Sequence, residues 1–153
     1  MWEEDDDDEP DYDPEEERRK LESKPIFQKA EEIRELTQRI VETMDKNDPE
    51  SEVQSSMMLE DSIIIPAKIA GAEAMDDFIL KMENAVVIKI HARSLLARTS
   101  SLKYLELVDG EYLQLLRDEI EAFRLLFKQW IASFHIDTVK EGDGWGLFVD
   151  DSE

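Results

Sequence analysis

The sequence contains no cysteine, so a disulfide framework, a thiolate metal site and a cysteine nucleophile are all excluded. Glycine and proline are scarce, with five of each, and the glycines do not form a phosphate-binding loop. No apolar run approaches the roughly 18 residues of a membrane span, and the acidic start lacks the basic and apolar regions of a signal peptide. We therefore expect a cytoplasmic protein without disulfides.

Basic residues are also few, because 18 lysines and arginines face 39 acids and the net charge is −21. Residues 1–23 hold 13 acids and three bases, a net −10, and residues 136–153 hold six acids and one base, a net −5. The middle of the chain therefore carries only −6. A surface of this sign repels nucleic acid as a whole and favours a basic protein as partner.

Residues 1–24 form the first region of the chain. They are rich in charge, poor in apolar residues and broken by Pro10 and Pro14, which is typical of a disordered tail. Trp2 and Tyr12 are isolated aromatics within this acidic segment. We interpret them as a candidate docking motif, with a purely solubilising tail as the alternative.

Residues 25–135 contain four stretches in which apolar residues recur every three or four positions, as they do on one face of a helix. The first begins at Pro25, the second opens at Ser51, the third covers about 73–102, and the fourth follows Gly110. Four amphipathic helices with short connections predict an all-α, antiparallel up-and-down four-helix bundle.

Residues 136–153 form the third region. Here "IDTVK" and "WGLFV" flank "EGDG", a pattern that predicts a small β-hairpin. Trp145, Leu147 and Phe148 lie between acids, which is the composition of a docking peptide with apolar anchors and a charged rim. The alternative is that these side chains cover an apolar patch of their own bundle.

The second predicted helix contains a proline at position 66, inside "DSIIIPAKIAGAEA". An interior proline removes one backbone hydrogen bond and clashes with the preceding turn. We expect a kink at Pro66 that redirects or ends the helix, with the Ser62 hydroxyl bonding nearby backbone and small residues packing closely beyond it. The alternative is a loop that begins at Pro66.

The same stretch, extended to "MMLEDSIIIPAKIAGAEA", resembles the second helix of a bacterial four-helix-bundle family first found encoded in intervening sequences of 23S ribosomal RNA genes. Three segments carry the resemblance over about residues 25–135: Ile65–Ala67, Ile69–Ala70 and Phe27–Ala30. The resemblance implies a bundle that commonly forms a ring-like homopentamer. Relatives include accessory proteins of diversity-generating retroelements, which partner a reverse transcriptase and its RNA. Leu59 and Glu60 replace the family's arginine pair, so RNA binding is not carried over.

Two acidic motifs suggest a different, enzymatic function. Glu32 and Glu35 on the first helix, with Glu73 and Asp76 at the start of the third, resemble the Mg²⁺-binding carboxylates of all-α nucleotide pyrophosphohydrolases. Acids are so frequent in this chain that a solvated face is the default interpretation. Neither histidine follows a glutamate at the spacing of a di-iron site, and we expect His91 at the surface or in an interface.

The third predicted helix carries most of the basic residues outside the tails. Lys81, Lys89, Arg93 and Arg98 form either a residual nucleic-acid surface or a face that meets the acids of a neighbouring subunit. We favour the subunit interface, since so few bases make a small footprint for phosphate.

The leading hypothesis from the sequence is a non-enzymatic, cofactor-free bundle that self-assembles and acts as a scaffold or adaptor, binding a basic protein through its acidic aromatic tails. The Mg²⁺-dependent nucleotide hydrolase is the second hypothesis. A nucleic-acid accessory protein, acting through the third helix, is the third.

Overall fold

The computed structural model describes residues 12–139 and 141–151, so Trp2 and the disorder predicted for residues 1–11 lie outside it. Within the described residues all regular secondary structure is helical, which confirms the all-α class. The elements are α1 (Pro14–Glu22), α2 (Pro25–Glu42), α3 (Pro49–Glu73), α4 (Phe78–Tyr104), α5 (Gly110–Ala132) and a 3₁₀ turn (Ile136–Thr138). None of these helices is both long and apolar enough to cross a membrane.

Aspartate caps fix where most of the helices begin. The carboxylates of Asp13, Asp48 and Asp109 each accept a hydrogen bond from the backbone N–H two residues later, and Asp77 accepts one from Leu80. Such caps satisfy N–H groups that have no partner within the helix. The cap at Asp77 places the start of α4 five residues after the position expected from apolar periodicity, because α3 continues to Glu73.

The N-terminal region differs from its prediction, since residues 14–22 form α1 where disorder was expected. Pro14 was interpreted as a breaker, but it occupies the first helical position, where a proline costs no hydrogen bond. Arg18 and Glu22 add an exposed ion pair one turn apart, with 2.9 Å between Nε and Oε1. The cap at Asp13 therefore lets a short helix form in this acidic stretch.

Helices α2 to α5 pack around one core, with α2 in contact with α3 and α5, and α4 in contact with the same two helices. The bulkiest fully buried side chains include Phe123, Ile33, Ile40, Met58, Ile65 and Ile69. Lys29 of α2 crosses to α5, where its Nζ lies 2.8 Å from a carboxylate oxygen of Glu119. Hydrogen bonds to Glu119 and Glu32 raise the pKa of Lys29.

Pro66 lies inside α3 and is buried, and the helix continues to Glu73 beyond it. The expectation that the helix ends at Pro66, and the alternative of a loop there, are therefore wrong. A local bend at Pro66 stays a prediction. The Ser62 hydroxyl donates to the carbonyl of Leu59 at 2.9 Å. Gly71, beyond the proline, packs close to α4: a Cβ there would lie 3.2 Å from the side-chain nitrogen of Asn84, which would have to shift slightly.

The predicted C-terminal β-hairpin is not found in residues 136–139 or 141–151. Ile136–Thr138 form a 3₁₀ turn instead of a first strand. In the predicted second strand, Gly146 and Phe148 have positive φ angles of 69° and 71°. These angles are incompatible with a regular strand, in which φ is negative throughout. The N–H of Gly146 donates to the Asp151 carboxylate at 2.7 Å, so this segment turns back on itself.

Candidate functional site

A groove of about 430 Å³ runs between α4 and α5. Its floor is apolar and comes from both helices. The floor residues are Met82, Ala85, Val86, Ala92 and Leu96 of α4, with Ile120, Phe123, Phe127 and Ile131 of α5. Volume and lining are both typical of a binding site for an apolar group.

The groove follows from the spacing of side chains along the two helices. On α4 the lining residues recur at three- and four-residue intervals, so they share one face. Two of them are alanines, seven residues apart at positions 85 and 92, and their small side chains leave space opposite α5. On α5 the rings of Phe123 and Phe127 lie 6.3 Å apart, centroid to centroid, and form an aromatic wall.

Four cationic side chains line the same groove: Lys89, Arg93, Arg124 and Lys128. Glu121 is the acid among the lining residues, and its carboxylate lies 2.6 Å from the Arg124 guanidinium. This hydrogen bond lowers the pKa of Glu121 and raises the pKa of Arg124. For the other three cations, the described part of the chain provides no salt-bridge partner. The rim is therefore positively charged although the chain as a whole is strongly acidic.

The basic residues predicted to share one surface are divided by the structure. Lys89 and Arg93 line the groove. The Lys81 ammonium lies over the ring of Phe134, 5.4 Å from its centroid, which is a cation–π distance. Arg98 points to α3 instead and bonds to Gln54. The four residues therefore do not form a continuous basic face.

A buried polar cluster connects α4 to α3 on the other side of α4. Asp61 is buried, and its two carboxylate oxygens accept from different partners: His91 Nδ1 at 2.8 Å and Ser94 Oγ at 2.9 Å. Arg98 Nε lies 3.6 Å from the same carboxylate, which is an ionic contact and too long for a hydrogen bond. The Ser94 hydroxyl donates to the carboxylate rather than to the imidazole, so the cluster is not a nucleophile–base pair.

This cluster was not predicted from the sequence, which led us to expect His91 at a surface or interface. The available signal was Asp61 itself, an acid that precedes "SIII" in an apolar part of the second predicted helix. Buried acids are rare unless they are paired. The partners lie 30 and 33 residues further along the chain, and helical spacing alone does not indicate which side chains will meet across two helices.

The four carboxylates of the predicted Mg²⁺ site are not brought together. Glu73 accepts a hydrogen bond from the Trp130 indole at 2.7 Å and pairs with Lys24 at 3.1 Å. Glu32 pairs with Lys29, whereas Glu35 and Asp76 are exposed. Among residues 12–139 and 141–151, no three acids or histidines lie close enough to hold a metal ion. In the described residues the acids of this alternative site therefore do not form a metal-binding cluster.

The aromatic residues predicted to bind a partner are largely exposed where the structure describes them. Trp145 is 87% exposed and Tyr12 is 76% exposed. Leu147 and Phe148 are also exposed, although less than Trp145. Trp145 therefore does not cover an apolar patch of its own chain, which was the alternative interpretation of this segment.

No protein-family model matches this sequence, and no curated protein is significantly similar to it. The resemblance to the family encoded in 23S ribosomal RNA intervening sequences therefore stays a prediction.

Proposed function

We propose that this protein is a non-enzymatic adaptor of the bacterial cytoplasm that self-assembles and docks on a protein surface through its acidic aromatic C-terminal segment, residues 141–151. In this proposal α2 to α5 form an antiparallel four-helix bundle, and the assembly is a homo-oligomer, with the pentamer implied by the family resemblance as one form. The contacts of each of these helices with two neighbours support the bundle.

The exposure of Trp145 is the observation that carries the proposal. An indole in water forfeits the favourable free energy of burial, and tryptophan is enriched among the residues that dominate binding at interfaces. Glu141 and Asp143 precede it and Asp151 follows it. Such a segment matches an apolar surface with a basic rim, because its apolar side chains supply buried area and its acids supply attraction at the edge.

Neither alternative function has comparable support. Glu73, one of the four acids of the hydrolase hypothesis, already bonds to Trp130 and Lys24. The nucleic-acid hypothesis requires a continuous basic surface, whereas Arg98 pairs with Asp61 across α3 and α4. The cations that remain together surround an apolar floor, which suits a protein anchor better than a phosphate backbone.

Photo-crosslinking of the full chain in the organism that encodes it tests this function. The crosslinking residue p-benzoylphenylalanine is placed at position 147, beside Trp145, and at position 104 as the control. Tyr104 is also strongly exposed, but it lies at the C-terminal end of α4. We expect a discrete crosslinked product from position 147, and we expect Trp145→Ala in the same chain to abolish it.

The control defines the result that would overturn the proposal. Equal crosslinking from positions 147 and 104, or a product that persists in the Trp145→Ala chain, would mean that the segment is merely solvent-exposed. The mass of a Trp145-dependent product identifies the partner as another protein or as a second copy of this chain.

A further inference from the structure

The α4–α5 groove and the C-terminal segment are complementary to each other. The groove has an apolar floor and a rim on which Lys89, Arg93 and Lys128 have no salt-bridge partner in the described part of the chain. Residues 141–151 contain four acids, no base, and three large apolar side chains. We propose that the groove of one chain binds the C-terminal segment of a second copy, an inference that rests on the function proposed above and names its partner.

The charges argue for an acidic occupant. Placing one more acidic chain near a protein of net charge −21 is unfavourable almost everywhere on its surface. The rim of the groove differs from this average, because four cations lie there with a single acid. An occupant with acids at its edges is therefore attracted to this site and repelled from most of the remaining surface.

The length of the groove along α4 also agrees with the length of the C-terminal segment. Along α4 the groove extends from Met82 to Leu96, which is about 21 Å at the helical rise per residue. The nine residues from Asp143 to Asp151 span up to about 30 Å when extended. Trp145, Leu147 and Phe148 can therefore all lie over the floor while acids before and after them reach the cations of the rim.

The arrangement within one chain argues for a second copy. The segment turns back on itself through the bond from Gly146 to Asp151, and none of its residues lines the groove of its own chain. Its tryptophan is 87% exposed in that position. Trp145 and the groove are both open to solvent in the single chain. Association of two chains would remove the apolar surface of both from water.

A mixing experiment with two full-length variants tests the inference. The groove variant carries Lys89→Glu and Arg93→Glu and keeps its C-terminal segment. The segment variant carries Trp145→Ala and Leu147→Ala and keeps its groove. Lys103→Glu and Tyr104→Ala are matched controls on α4, because both residues are exposed and neither lines the groove. Circular dichroism and thermal unfolding verify that every variant is folded.

Sedimentation equilibrium over a range of concentrations gives the readout. We expect each variant alone to self-associate about 30-fold more weakly than the wild type, the loss typical of a truncated hot spot, and the controls to be unchanged. An equimolar mixture of the two variants should regain a one-to-one complex, because one supplies the segment and the other supplies the groove. Added salt should weaken this complex, since the rim charges are exposed.

Other outcomes separate this inference from the proposed function. If the wild type is a monomer, or if the mixture forms no complex, the groove does not bind a second copy. When position 147 nevertheless crosslinks to a different protein in a Trp145-dependent manner, the adaptor function stands and only the groove assignment fails. The absence of any Trp145-dependent crosslink overturns both.

Discussion

The two faces of α4 that meet neighbouring helices are built differently. Towards α3, Asp61 is buried and binds three side chains of α4: His91, Ser94 and Arg98. Towards α5, the helices leave a groove with an apolar floor and cations along its edges. One face is closed by directional polar contacts, whereas the other remains open.

This difference has a functional meaning. A buried charge cluster is costly unless each member has its partners, so it specifies how α3 and α4 align. An open apolar groove contributes less to folding, since some of its lining residues, such as Val86, stay exposed although Phe123 is buried. Apolar surface that folding leaves exposed is available for binding. The α3–α4 face therefore holds the fold together, and the α4–α5 face is the one suited to a partner.

The largest effect should come from a pair of adjacent leucines on α4. Leu95 is fully buried in the core, and Leu96 lines the groove. We expect Leu95→Ala to lower the free energy of unfolding by about 4 kcal/mol, because it leaves a cavity. Leu96→Ala should lower it by only about 1 kcal/mol, since the side chain is already partly in water. Urea denaturation measures both.

Equal costs for the two leucine variants would contradict the comparison. That result would mean that the α4–α5 face is packed as tightly in solution as the core.

The second effect concerns the polar cluster of the α3–α4 face. Asp61→Ala removes the acceptor of His91 and Ser94 and leaves the Arg98 charge without its partner. We expect a loss of about 3 kcal/mol in the free energy of unfolding, because buried groups left unsatisfied keep their desolvation cost. Glu60→Ala, at the neighbouring exposed position, is the control and should change it by less than about 0.5 kcal/mol.

A loss at Asp61 no larger than that at Glu60 would show that the cluster does not stabilise the α3–α4 face. The same denaturation experiment gives both values.

The smallest effect is expected on the rim of the groove. Because Arg124 lowers the pKa of Glu121 below its ordinary value of 4.5, the ionised carboxylate is favoured in the folded protein. Its contribution to stability is therefore present above that value and is lost as the pH falls through the lower folded-state pKa. Both side chains are exposed, so the contribution is small.

Thermal unfolding at neutral and acidic pH tests this contribution. Glu121→Gln should lower the unfolding midpoint slightly at neutral pH, and the difference from the wild type should shrink on acidification. In an Arg124→Gln background the same replacement should have no such pH-dependent effect. A difference that grows on acidification would contradict the assignment.

Much of the fold could be predicted from local features of the sequence. Apolar spacing predicted α2, α3, α4 and α5 because helical periodicity is a property of neighbouring residues. The same local rules were less successful at prolines and glycines. Pro14 begins a helix although it was interpreted as a breaker, and the helix that contains Pro66 continues to Glu73 instead of ending at the proline. The predicted C-terminal hairpin is not found in the described residues, because Gly146 and Phe148 have positive φ angles where the second strand was expected.

The candidate site was only partly visible in the sequence. Lys89 and Arg93 were predicted to lie in a subunit interface or a nucleic-acid surface, and both line the groove. Arg124 and Lys128 were missed, since nothing along the chain indicates that α5 presents them beside α4. For Trp145 the sequence left two interpretations open, a docking residue or a cover over its own bundle, and the structure shows the side chain exposed.

From the amino-acid sequence one can predict the all-helical class, the approximate extent of four helices and the concentration of acid in the terminal regions. These properties depend on residues close together in the chain. The packing of the helices is what pairs Asp61 with His91, Ser94 and Arg98, and what places small side chains of α4 opposite the aromatic wall of α5. Such contacts depend on the rotation and separation of packed helices, which periodicity leaves free.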